Sequence, residues 1–197
     1  ATYDVFDAGD SHSNFYLWGA MGGAAMTGLR PVAELMYVDF VTLTMDQLIN
    51  QAAKIRYMFG GQTGVPMVLR AQGGTGRSGA AQHSQSLEAW MMHTPGLHVA
   101  MPATVTDAYC LLKHSLTLKD PVVFLEHKGL YTLKGDLLPE KAPPWGKAEV
   151  RLSGSDCTII TYSRMLHRVL EACSRLKEEN ILPEVIDLRT LHPLDME

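Results

Sequence analysis

Apolar residues recur along the chain in short continuous runs, PVAELMYV (31–38), VPMVLR (65–70), LHVAMP (97–102) and PVVFLE (121–126), and stretches of helical spacing lie between them. Strands apolar on both faces, alternating with helices, predict a parallel sheet covered by helices on both sides, an α/β fold. Before the first run come an extended piece at Asp4–Asp7, a polar turn, GDSHSN, and a small-residue helix from Gly19 to Met26 with Gly28 as its C-cap. Glycine and alanine at that density lower helix propensity, and are tolerated where another backbone or a ligand comes close. The same smoothness suits packing against another subunit, so an oligomer is expected. Asp39 to Phe59 reads as one long amphipathic helix, with Leu43, Leu48, Ile49, Ala52, Ile55 and Met58 in its pattern and Gly60–Gly61 ending it. Asp107 to Leu118 reads as another.

PEKAPPWG (139–146) carries three prolines and predicts a linker. Beyond it the pattern gives a strand at Cys157–Tyr162, a helix at Leu166–Glu179 and a parallel strand at Pro183–Leu188, one βαβ unit too small to cover its own sheet. The expected organisation is an α/β domain over 1–138, a linker over 139–146, and an incomplete second α/β domain over 147–197. The start at Ala1 and the stop after HPLDME read as the ends of a fragment.

Composition narrows the function. With 197 residues, 46% of them hydrophobic and 19% charged, the chain is ordinary globular material. Its net charge is −4, and its 17 Lys and Arg are scattered, which excludes a nucleic-acid face. Cys110, Cys157 and Cys173 form no CxxC pair, which argues against disulfides and structural zinc and for a reducing compartment. No run approaches the roughly 20 apolar residues of a membrane span, and no signal peptide is legible.

The chemistry concentrates in AQGGTGRSGAAQHSQSLEAW (71–90). Gly73, Gly74, Gly76 and Gly79 would let the backbone approach a ligand, and His83 stands where a helix capped by Ser84 is expected to begin, with Leu87, Trp90 and Met91 on one face. An imidazole there titrates near neutral pH and can move a proton. No GxGxxG follows a strand at the start of a helix, no GxxxxGK[ST] exists, and no histidine pair has metal-ligand spacing.

AAQHSQSLEAW, together with LINQAAKIRYMFGGQ, HTPGLHVAMPAT and DPVVFLEHKGLY, resembles the beta subunit of the thiamine-diphosphate-dependent decarboxylating component of 2-oxo acid dehydrogenase complexes, from about Phe6 onward. The single Gln82–His83 is more similar to the pyruvate and acetoin branches than to the branched-chain one. The resemblance implies a transketolase-like pyrimidine-binding domain that holds the aminopyrimidine of thiamine diphosphate, with Phe40 packed on the ring, Met36 a neighbouring wall, and His83 the catalytic residue. It also implies an alpha subunit, in an alpha2-beta2 assembly, that holds magnesium and the diphosphate, because the GDG motif is absent here. A lipoyl-bearing acyltransferase core as acceptor, potassium in a monovalent-cation loop, and a cytoplasmic or mitochondrial-matrix location follow from the same resemblance.

The chain departs from the family at two places. The family's glutamate beside the pyrimidine nitrogen is missing: counting back from Gly28–Pro31 puts Asn14 there, counting forward from Phe6–Asp7 puts His12, and Asp10 is the only acid between Asp7 and Glu34. An altered or non-catalytic scaffold subunit, a loop in which Asp10 reaches the place, and an error in DSHSN are the alternatives. In the cation loop, Leu118 replaces an expected acid, with Asp120 nearby.

Overall fold

The computed structural model describes residues 5–7 and 14–197, with side chains from Trp18 onward. Asp10 and His12 lie outside the described residues, and so does the side chain of Asn14, which opens the first helix. A sheet in the order β1-β2-β3-β5-β4-β9 organises the molecule. It is built from β1 (Val5–Asp7), β2 (Val32–Leu35), β3 (Val68–Gly73), β4 (His98–Ala100), β5 (Val122–His127) and β9 (Thr190–His192). The first five strands run parallel, as the apolar runs require.

Both faces are buried. Ala33, Leu35, Leu69, Ala71, Val123 and Leu125 point to one face, under α1 (Asn14–Met26) and the segments that follow β2. Val68, Val122 and Phe124 point to the other, under Leu111 of α4 (Val105–Ser115). α1 seats Trp18, Met21 and Ala25 on the sheet and ends as expected at Gly28, whose φ of 104° favours glycine. Leu29 N–H reaches Ala24 O at 3.1 Å and Gly28 N–H reaches Ala25 O at 3.1 Å, the double bond of a Schellman ending.

Several boundaries differ from the sequence reading. The run at 31–38 stops being a strand at Leu35. The single helix expected over 39–59 is instead a 3-10 turn (Val38–Leu43), a π segment (Asp46–Ala52) and α2 (Ala53–Met58). Val38, Val41, Thr42 and Thr44 are β-branched and stiff at χ1, and buried Thr44 turns its hydroxyl back to Val41 O at 2.9 Å, which favours the tighter turn. Leu48, Ala52 and Ile55 are buried as the pattern required, but Leu43 and Met58 are exposed. The strand expected at Val65–Arg70 is displaced to Val68–Gly73, because Pro66 has no N–H for the ladder. α4 starts two residues early, with Thr104 Oγ1 accepting from Asp107 N–H at 3.1 Å.

The second unit is also more than a βαβ. β6 (Glu149–Leu152), β8 (Pro183–Asp187) and β7 (Cys157–Thr161) form a sheet in that order, β6 antiparallel and β7 parallel to β8, with α5 (Arg164–Glu178) between β7 and β8. β9 then leaves this unit and adds antiparallel to β4, Ala100 opposite Thr190, so the main sheet is mixed.

The junction is ionic. Arg189, fully buried, donates from Nε to Asp107 Oδ1 at 2.6 Å, from Nη1 to Lys147 O at 2.7 Å and from Nη2 to Pro143 O at 3.1 Å. Arg151 pairs with Asp107 and, at 3.0 Å, with Asp187. Burial pushes the Asp187 carboxyl up to about 6, with Arg151 opposing the rise. The proline-rich stretch is therefore pinned through its carbonyls, and Trp145 within it stacks on His114 with centroids 5.5 Å apart.

Candidate active site

The C-terminal ends of parallel strands are where an α/β sheet opens to ligands, and the residues that follow β2, β3 and β5 converge there. The chain leaves β2 through Met36 and Tyr37 and enters the 3-10 turn that carries Asp39 and Phe40. It leaves β3 through the glycine loop and returns as a short 3-10 turn, Ala81–His83. It leaves β5 through His127 and Lys128.

His83 is the hub. Its imidazole stacks on the Tyr37 ring, centroids 4.6 Å apart and 12° between planes, and meets Phe40 edge-on at 5.4 Å. Nδ1–H donates to Gln82 O at 2.7 Å, because a carbonyl oxygen can only accept. In the neutral ring this leaves Nε2 as the free basic nitrogen. The backbone at His83 and just after it is held from two directions. Lys128, 2% exposed, donates from Nζ to His83 O at 2.6 Å and lies 5.7 Å from the Tyr37 ring centroid. Asp39, also buried, accepts through Oδ1 from Gln85 Nε2 at 2.8 Å and from Gln85 N–H at 3.2 Å.

The structure brings His83 and Phe40 together, with Met36 exposed just beyond the end of β2. It corrects the surroundings. No helix starts at Ser84: α3 runs only from Glu88 to Met92, so His83 is separate from any helix cap, and Ser84 Oγ instead faces Lys128 Nζ at 3.4 Å. Leu87 and Met91 are buried but Trp90 is exposed. Two of the glycines, Gly73 and Gly74, are pressed close by the chain's own side chains. A Cβ on Gly73 would stand 2.8 Å from Val38 Cγ1, and one on Gly74, where φ is 84°, would overlap the His127 ring, so the close approach serves the chain's own side chains. Ala71 to Gly73 belong to β3 rather than to the loop. Asp120, the acid nearest the expected cation loop, is taken by Arg56.

Sequence reasoning missed Tyr37, Asp39, Gln85 and Lys128. For Tyr37, Asp39 and Lys128 the one signal was position, polar or aromatic residues close after apolar strands, at the end where an α/β sheet binds ligands; Gln85 carried none. Among the described residues, no group of three or more His, Cys, Asp or Glu could hold a metal ion, and no helix is long and apolar enough to cross a membrane.

Residues 14–134 match the transketolase pyrimidine-binding domain, and residues 146–197 match the transketolase C-terminal domain. The chain belongs to the transketolase pyrimidine-binding family. Its relatives are beta subunits. It is 50% identical over 181 residues to the acetoin:2,6-dichlorophenolindophenol oxidoreductase subunit beta of Cupriavidus necator, covering 91% of this chain and 53% of that protein. It is 46% identical over 177 residues to the 2-oxoisovalerate dehydrogenase subunit beta of Bacillus subtilis (89% and 54%). It is 44% identical over 193 residues to the pyruvate dehydrogenase E1 component subunit beta of Cyanidium caldarium (98% and 58%). The chain thus spans about half the length of the curated relatives it matches. A split-gene transketolase, described as an inactive beta4 tetramer, shares the fold with a TM-score of 0.77 at 22% identity, over 92% of this chain and 56% of its own.

Proposed function

We propose that this chain supplies the aminopyrimidine half of a thiamine diphosphate site, as the beta subunit of an acetoin or 2-oxo acid dehydrogenase. The observation that carries the reading is the His83–Phe40 pair at the open end of the sheet, with no partner on His83 Nε2 among the described residues, in a chain related to beta subunits of that class. The described residues fit half of the cofactor. Phe40 and Met36 give an apolar wall of the kind a flat heterocycle packs on, whereas no metal-binding acidic group faces it among the described residues. The diphosphate and magnesium are therefore assigned to an alpha partner. Counting along the sequence puts Asn14 where the family has its glutamate, and an amide there can donate a hydrogen bond but bring no charge.

When bound, thiamine diphosphate supplies an electron sink for a carbonyl substrate. His83 holds or releases a proton at Nε2 toward the substrate oxygen, while the Nδ1–H bond to Gln82 O keeps that nitrogen free in the neutral ring. Tyr37 excludes water from one face of the imidazole. A lipoyl-bearing acyltransferase core is the proposed acceptor of the acyl group, in cytoplasm or mitochondrial matrix. The test is the chain co-purified with the alpha subunit of an acetoin dehydrogenase and assayed for thiamine-diphosphate-dependent dye reduction with acetoin, pyruvate and 3-methyl-2-oxobutanoate. Turnover with any of the three that depends on the cofactor supports the reading and names the branch. A complex that binds no cofactor by calorimetry defeats it.

A further inference from the structure

A second cavity, of about 190 Å³, lies where the second unit meets the end of the main sheet, lined by Gly74, Thr75, Glu88, His127, Ser163 and Arg164 among others. Drug-sized pockets begin at roughly 300 Å³, so its occupant must be small.

Ser163 carries the inference. It is 2% exposed, it lines the cavity, and its Oγ has no hydrogen-bond partner among the described residues. A buried hydroxyl without a partner is destabilising. The residue also sits at φ 52°, ψ −136°, a conformation that glycine adopts freely and serine does not. Serine before a helix normally turns its oxygen onto the first N–H groups, but here it makes no such bond. The opening N–H groups of the 15-residue α5, at Arg164 and Met165, have no acceptor within the helix and keep the partial positive charge of its start.

Two further donors stand beside Ser163. Arg164 is anchored by Nη1 to Thr75 O at 3.0 Å, which leaves other guanidinium N–H groups free to bond. His127 Nδ1 accepts from Gly129 N–H at 3.0 Å, so its proton is on Nε2 and the ring is a neutral donor. Burial, then Arg164 and Lys128, hold that imidazole below its ordinary pKa. On the acid side, Glu88 accepts from the Tyr162 hydroxyl at 3.0 Å, and Glu126 is committed to Arg70 at 2.7 Å and to Tyr131 at 2.7 Å.

We infer that this cavity binds a small oxyanion, a carboxylate or a phosphate, through Ser163 Oγ, the start of α5 and Arg164. Glu88, which also lines the cavity, tempers the charge, so binding is weak, on the order of 1 mM, and favours a singly charged ligand or one with a hydroxyl to offer. The site needs neither the cofactor nor an alpha partner, so it stands apart from the function proposed above.

The experiment is an NMR titration of the chain with sodium acetate and, separately, sodium phosphate, at constant ionic strength set by chloride, following the C2–H resonance of His127. The expected result is a saturable shift with at least one anion. That affinity should fall about fivefold or more, the loss of one hydrogen bond, in Ser163→Gly and again in Arg164→Gln. Ser163→Gly suits the backbone and removes only the hydroxymethyl group, so it should melt no lower than the parent. Saturation by acetate alone assigns a carboxylate, and by phosphate alone a phosphate. Absence of saturation with both, or unchanged affinity in Ser163→Gly, overturns the inference.

Discussion

Lys128 and His83 are joined through the backbone: the lysine ammonium donates to the histidine carbonyl oxygen at 2.6 Å, while the Tyr37 ring is close to both the ammonium and the imidazole. Lys128 is thus a positioning residue, 45 positions away in sequence from the group it places. Lys128→Met keeps the length of the side chain and leaves the carbonyl unheld. In the alpha-beta complex it should lower kcat about tenfold, or about 1.4 kcal/mol, with KM little changed and the acidic limb of the pH profile displaced. A melting temperature that falls while kcat stays at the parent value would reduce Lys128 to a structural role.

His83→Ala should lower turnover by about 10² to 10⁴, the usual contribution of a positioned acid or base, and leave cofactor affinity within severalfold, because the Phe40 wall remains. Since α3 begins only at Glu88, no helix cap is lost. Stability should therefore change by less than about 1 kcal/mol in urea denaturation.

Arg189→Met should be among the most destabilising single changes. It takes the Nε donor from Asp107 Oδ1, leaving that 1%-exposed carboxylate to Arg151 alone among the cations, and strands the carbonyls of Pro143 and Lys147 at the junction of the two sheets. Removing one partner of a buried pair costs about 3–5 kcal/mol, readable as a shift of the urea midpoint.

Asp187 gives the junction a pH dependence. Its carboxyl titrates at about 6 in the fold against 3.8 ordinarily, so the native state holds the proton more tightly than the unfolded chain does. This group therefore adds stability below about 4 that is lost as pH rises through about 6. Measured by urea denaturation at several pH values, the parent should lose stability relative to Asp187→Asn across that window. A constant difference between the two proteins would refute the assignment.

How much could be read in advance follows from the range of each interaction. The parallel strands, α1 with its glycine ending, α4 and α5 were legible because short apolar runs and 3.6-residue spacing record burial locally. The broken stretch after Val38 was not, since Leu48, Ala52 and Ile55 keep helical spacing while buried Thr44 tightens the turn before them. β6 and β9 escaped because EVRL and TLH are short, and only pairing with Pro183–Asp187 and His98–Ala100 makes them strands. At the site, family resemblance picked out His83, Phe40 and Met36. Lys128, Asp39 and Ser163 become visible only when distant segments meet, since nothing next to them in sequence explains a buried charge or a buried hydroxyl.

The seat of β9 on β4 also has a consequence during synthesis. Ala100 waits for Thr190, and at about 5–20 residues per second that wait lasts on the order of ten seconds. Throughout it, the growing chain presents a bare strand edge, which is a template for pairing with its neighbours on the polysome. A nascent chain released at residue 138 would carry every described residue of the cofactor half-site and still depend on chaperones to stay out of the pellet.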